Sequence, residues 1–141
     1  TVDFKESKKN MKSVLDSIKQ QIPKSVHDCS KGGLAVAVAE LCMTNQIGCK
    51  VSLNKVPGEK LTDDRILFSE SHSRYLLTID EKNIKKLENI LKKNKVTFQI
   101  IGKFGGKKIH FANSTKSIIT LDVDKAQKTW LTSLKNLVLH S

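Results

Sequence analysis

The chain has 141 residues, with 25 lysines and arginines against 14 acidic residues, a formal net charge of +11. Hydrophobic residues make up 38% and aromatics 5%, which suits one core of Ile, Leu and Val and excludes an aromatic platform for stacking single-stranded nucleic acid. No apolar run nears the ~20 residues of a membrane span and no secretory signal pattern opens the chain, so a cytoplasmic protein with no membrane contact is expected.

Residues 4–22 place Met11, Val14, Leu15, Ile18 and Ile22 at helical spacing among lysines and glutamines, which predicts an amphipathic helix ended by Pro23. Ser25 to Asp28 reads as a short strand running into Cys29-Ser30-Lys31-Gly32-Gly33. Two adjacent glycines allow backbone angles closed to other residues and a close approach to the main chain. Ser30 is of a type suited to cap the following helix, and free N–H groups at a helix start favour an anion such as phosphate. Asp28 and Ser30 would project at the carboxyl end of the strand, where ligands of open α/β sheets sit. A capped turn with no ligand is the plainer reading of the same residues.

Leu34 to Cys42 is apolar almost all round, which predicts a helix packed on both sides, with Glu40 at a solvent-facing end. Cys49 to Leu53 alternates as a strand, and Pro57-Gly58 marks a surface loop over 54–62. The polar run Ser69-Glu70-Ser71-His72-Ser73-Arg74 precedes a strong strand at Tyr75 to Ile79. Its carboxylate, hydroxyls, imidazole and guanidinium suit a polyhydroxylated or phosphorylated ligand. A polar connection with Glu70 paired to Arg74 explains it too, and spacing alone slightly favours that. His27 and His72 have no metal-ligand spacing around them, so structural roles are expected for both.

Further on, a helix is predicted over 82–94, a strand over Val96 to Ile101, and a hairpin turn at Gly105-Gly106 into Lys108 to Phe111. A strand at Ser117 to Leu121 leads to a last helix with Ala126, Trp130, Leu134, Leu137 and Val138 on one face and Trp130 in the core. The fold expected is α/β, a single domain over 1–141 with a mixed β-sheet packed with helices. The three cysteines lack C-x-x-C spacing and fit neither a disulfide framework nor a zinc site, and Cys42 reads as a small buried hydrophobe. Nearly all the positive charge is lysine on predicted helix faces, with Arg65 and Arg74 the only arginines, so solvated faces explain it better than base readout.

Two stretches together carry a family resemblance: His-Asp-Cys-Ser-Lys-Gly-Gly-Leu-Ala-Val-Ala at 27–37 and Leu-Phe-Ser-Glu-Ser-His-Ser-Arg at 67–74. In this order and spacing they resemble the C-terminal domain of the large subunit of phosphoribosylformylglycinamidine synthases, within the aminoimidazole ribonucleotide synthetase-related superfamily. The resemblance implies a B-type domain of a longer chain; the opening Thr1 by itself fits either a piece of a longer chain or trimming of an initiator Met. It implies an ATP-dependent C–N ligase of purine biosynthesis that needs Mg²⁺ and glutamine-derived ammonia. ATP activates the amide oxygen of formylglycinamide ribonucleotide as an iminophosphate, and ammonia displaces phosphate. The implied partners are the ribonucleotide substrate, the A-type domains of the same enzyme, a glutaminase subunit and a small accessory subunit. The A-type domains carry most nucleotide and metal contacts, so this chain alone is expected to be inactive, with no catalytic residue and no metal ligand of its own.

The positions expected to touch substrate or phosphate are Asp28, Ser30, Gly32, Gly33, Ser69, Glu70, Ser71, His72 and Arg74. Two departures from the family pattern, His72 in place of the usual Gln and Lys31 in place of an acidic residue, point to the second, pseudo-symmetric half of the large subunit. Alternatives are another superfamily member, such as aminoimidazole ribonucleotide synthetase or selenophosphate synthetase, or a small basic nucleic-acid-binding module.

Overall fold

The computed structural model describes residues 3–58, 60–70 and 74–139, the last seven by backbone alone. The chain divides into two compact units, Thr1–Ala37 with Phe68–Gln99 and Val38–Leu67 with Ile100–Ser141.

The first unit opens with α1 (Phe4–Lys19), capped by Asp3, whose carboxylate accepts from the N–H groups of Lys5 at 2.9 Å and Glu6 at 3.3 Å. The helix stops before Pro23 because Gln21 turns left-handed, with φ 54°. Its apolar face differs from the expectation. Val14 is buried, and so is Ile22 beyond the helix end, but Met11, Leu15 and Ile18 are exposed. The inward line is instead Ser13, Val14 and Ser17, where two small serines let the helix approach its surroundings closely. Helix α4 (Ile84–Lys93) packs beside α1, and Lys9 Nζ donates to the Lys95 carbonyl at 3.2 Å.

Strand β1 (Ser25–Asp28) pairs antiparallel with β3 (Tyr75–Thr78), from Ser25 opposite Thr78 to Asp28 opposite Tyr75. The Ser25 and Thr78 hydroxyls hydrogen-bond at 2.6 Å, and Lys24 forms an ion pair with Asp80 at 2.7 Å. These links pin the pair at the end away from the glycine turn.

Helix α2 (Gly33–Asn45) begins in the first unit and ends in the second. Leu34, Ala35, Ala37, Val38, Leu41 and Cys42 are buried and Glu40 is exposed, as an all-round apolar helix with one charged edge requires.

The second unit is built on a mixed sheet in the order β4-β2-β5-β6. Strand β2 (Cys49–Ser52) lies antiparallel to β4 (Gly102–Phe104) and parallel to β5 (Lys108–Ala112), and β6 (Ser117–Asp122) returns antiparallel to β5. Val51, Leu53, Leu67, Ile109, Phe111 and Val123 are its buried apolar residues. The short helix α3 (Asp63–Phe68) supplies Leu67, and Asn113 ties back to its Asp63 at 2.8 Å. Cys42 and Cys49 are buried thiols; a hydrogen bond between them pushes Cys42 up and Cys49 down from the ordinary thiol range.

Three expectations are corrected in this unit. Residues 96–101 form no strand; the strand is Gly102–Phe104. Gly105-Gly106 is not a hairpin turn, because β2 is inserted between β4 and β5. Gly105 N–H donates to the Gly48 carbonyl at 2.9 Å and Gly48 N–H to the Gly106 carbonyl at 2.8 Å, so the turn wraps the start of β2. A Cβ at Gly102 would stand 2.3 Å from the Lys50 carbonyl oxygen, which makes glycine the residue that admits β4 this close to β2. Third, in α5 (Val123–Leu139), Trp130 is 48% exposed rather than core; the side chains of Leu134, Leu137 and Val138 lie outside the described residues.

The fold is α/β with helices and mixed strand pairing, the strands shared between two sheets.

Candidate functional site

The glycine turn and the polar run meet in the first unit. β1 ends at Asp28, and Cys29 N–H donates to the Arg74 carbonyl at 3.0 Å, extending the β1–β3 pairing by one link. The chain then turns through Gly32 (φ 73°) and Gly33 (φ 67°) into α2. Both angles lie in the left-handed region that favours glycine. At Gly32 a Cβ would also come within 2.3 Å of Val36 Cγ2, so conformation and space both require glycine.

The Gly32 N–H donates to Glu70 Oε1 at 3.1 Å. That contact joins the two motifs, and it puts the chain's own carboxylate on an N–H beside the start of α2, where the sequence predicts an anion. Because α2 begins at Gly33, Ser30 stands three residues ahead of it and does not cap it, which corrects the expected role. β1 is also one of an antiparallel pair rather than a strand of an open parallel sheet, so the ligand rule for such sheets does not place Asp28.

Asp28, Ser30 and Glu70 are exposed, Gly32, Ser69 and Arg74 are half-buried, and Gly33 is buried. Ser71 and His72 lie outside the described residues. The structure therefore brings Gly32 to Glu70, and the backbone of Arg74 to the strand end beside Asp28. The Glu70 carboxylate is engaged by the Gly32 N–H.

Cys29, between Asp28 and Ser30, is 1% exposed. Burial pushes its thiol above the ordinary range, against the pull of the Arg74 guanidinium and with a small push from Asp28. The structural part of Cys29 was not visible in the sequence, since its signal is a backbone link to a residue far along the chain. His27 is half-buried in β1 opposite Leu76, in a strand position. Among the described residues no three His, Cys, Asp or Glu side chains gather in a metal-holding group. Nor is any described helix long and apolar enough to cross a membrane.

Residues 2–113 match the protein family described as AIR synthase related protein, C-terminal domain. The chain belongs to this family. Among curated relatives of this AIR synthase related domain, phosphoribosylformylglycinamidine synthase subunit PurL of Thermococcus sibiricus is 37% identical over 123 residues. That match covers 86% of the chain and 17% of the relative, so the domain spans about a sixth of that protein's length. Among solved structures, T. maritima PurL complexed with ATP and the same protein complexed with FGAR each superpose with a TM-score of 0.78 at 18% identity. They cover 85% and 86% of this chain and 21% of the PurL chain. At that identity the likeness establishes the fold of the AIR synthase related domain.

Proposed function

We propose that this domain works as one part of a phosphoribosylformylglycinamidine synthase, an ATP-dependent ligase that turns an amide into an amidine in purine biosynthesis. The observation that carries this reading is the Gly32–Glu70 contact, which gathers the two motifs of the resemblance at one place. Relatives named as this synthase, 37% identical over most of the chain, support it. In the reaction, ATP transfers a phosphoryl group to the amide oxygen of the ribonucleotide, ammonia adds at the amide carbon, and the C–O bond breaks to release phosphate.

Within that scheme Glu70 holds the polar run against the glycine turn, and Asp28, Ser30, Ser69 and Arg74 are groups among the described residues that would face a ribonucleotide or its phosphate. A phosphate at the turn would have to share or displace the carboxylate now on Gly32. ATP and Mg²⁺ belong to the complete enzyme, where the A-type domains would carry most of their contacts. The A-type domains, the glutaminase and small accessory subunits, and a cytoplasmic setting follow from the family resemblance.

The test is an exchange of the matching segment of T. sibiricus PurL for this chain. The chimera is expected to form the amidine from ribonucleotide, ATP and ammonia, while the isolated chain shows no turnover. A folded chimera without activity, or an isolated chain with full activity, would sink the proposal.

A further inference from the structure

The three cysteines carry no disulfide spacing in the sequence, yet the fold of the second unit brings two of them together. Helix α2 ends at Asn45, Gln46 turns left-handed with φ 53°, and the Ile47 N–H returns to the Cys42 carbonyl at 3.1 Å. That reversal sets Cys49, the first residue of β2, against Cys42, and the two side chains hydrogen-bond to each other. Cys42 is 0% exposed and Cys49 5%. Either thiol alone would pack as a small apolar residue. In contact they are a dithiol, and its members are unequal. The Cys42 S–H donates to Cys49, which favours the thiolate of Cys49 and disfavours that of Cys42. Cys49 also keeps the trace of exposure, at a strand start where the Gly48 N–H is held by the Gly106 carbonyl at 2.8 Å.

We propose that Cys42 and Cys49 form a reversible redox pair, in which a hydroperoxide closes a disulfide that staples the end of α2 to the start of β2. The Cys49 thiolate attacks one peroxide oxygen: an S–O bond forms, the O–O bond breaks, and the leaving oxygen takes up the proton that Cys49 gave. The Cys42 sulfur then attacks the Cys49 sulfur. The S–S bond forms, the S–O bond breaks, and hydroxide leaves with the Cys42 proton as water. The two sulfurs together lose two electrons, and hydrogen peroxide is reduced to two waters. An external dithiol reverses the closure by exchange. Hydrogen peroxide is close to water in size, which suits a sulfur reached only at a strand start. Cys29 is the contrast within the same chain, since it is buried and burial pushes its thiol up. The inference stands on the second unit alone and is independent of the proposed synthase role.

The test treats the 141-residue chain with hydrogen peroxide, folded and in urea, alkylates the remaining thiols and digests with trypsin. Residues 32–50 contain no internal lysine or arginine, so Cys42 and Cys49 share one peptide, while Cys29 falls on residues 25–31. The count of alkyl groups is the readout, and oxidation of Met43 leaves it unchanged. In the folded chain the 32–50 peptide is expected to lose both alkyl groups together, with two hydrogens, at least about tenfold faster than the Cys29 peptide loses its one. Dithiothreitol should restore both. In Cys42→Ala, Cys49 should stop at a sulfenic acid that dimedone traps; in Cys49→Ala, Cys42 should keep its alkyl group. Amide exchange at Ile47 and Gly48 should slow at least about tenfold in the oxidised chain. The proposal is overturned if the folded chain keeps both alkyl groups on the 32–50 peptide, if Cys29 is consumed as fast, or if the disulfide forms only in urea. Unchanged exchange at Ile47 and Gly48 after closure overturns it as well. The comparison within the unaltered chain decides even where a variant fails to fold.

Discussion

At the scale of single residues, the glycine turn sets the sharpest constraints. Gly32→Ala must hold a left-handed φ of 73° and push against Val36, so it should cost about 1–3 kcal/mol in urea unfolding. Glu70 is exposed, and its hydrogen bond to Gly32 contributes less than a buried one. Glu70→Ala should cost no more than about 1 kcal/mol, with faster amide exchange at Gly32 as its signature. A buried Cys29 thiol with its pKa pushed up should react with a disulfide reagent at pH 8 far more slowly than a free thiol, and unfolding should abolish the difference. The Lys24 ammonium holds the Asp80 carboxyl below its ordinary 3.8. A depressed folded-state value means that the pair contributes above pH 3.8 and is lost as the pH falls through that lower value. Lys24→Gln should therefore lower the urea midpoint at neutral pH, and the difference should close in strong acid.

At the scale of elements, α1 separates what its sequence shows from what its surroundings decide. Ser13 Oγ is buried without a hydrogen-bond partner, whereas the buried Ser17 Oγ donates to the Val14 carbonyl at 2.7 Å. Ser13→Ala removes an unmet polar atom and adds helix propensity, so it should stabilise by about 1 kcal/mol. Ser17→Ala gives up a bond for the same propensity and should lie near zero; paired urea curves would tell them apart. The helix itself was legible, because periodicity and the Pro23 stop are local signals. Which face turns inward was not: the serines look polar by type, and only close packing makes them interior. The same division holds for the sheet. The glycine turn, α2 and β1 could be read because their signals lie within a dozen residues. The β4–β5 hairpin failed because β2, some fifty residues earlier in the chain, takes the place between them. At the candidate site, the residue types were legible, but the Gly32–Glu70 contact joins positions 38 apart in sequence and needed the fold.

At the scale of the whole molecule, α2 runs from the first unit into the second, passing between them at Ala37 and Val38. Ala37→Pro removes a helical hydrogen bond there at a cost of about 3 kcal/mol. It should lower amide protection in both sheets, whereas Thr120→Pro in β6 should lower it in the four-stranded sheet first. The chain visits each unit twice, in the order first, second, first, second. During synthesis, then, neither unit can finish when its opening segment leaves the ribosome. β1 waits for β3, and β2 waits for strands that emerge after Gln99. Nascent chains halted before that point should stay protease-sensitive throughout, and no single cut should release either half as a folded piece.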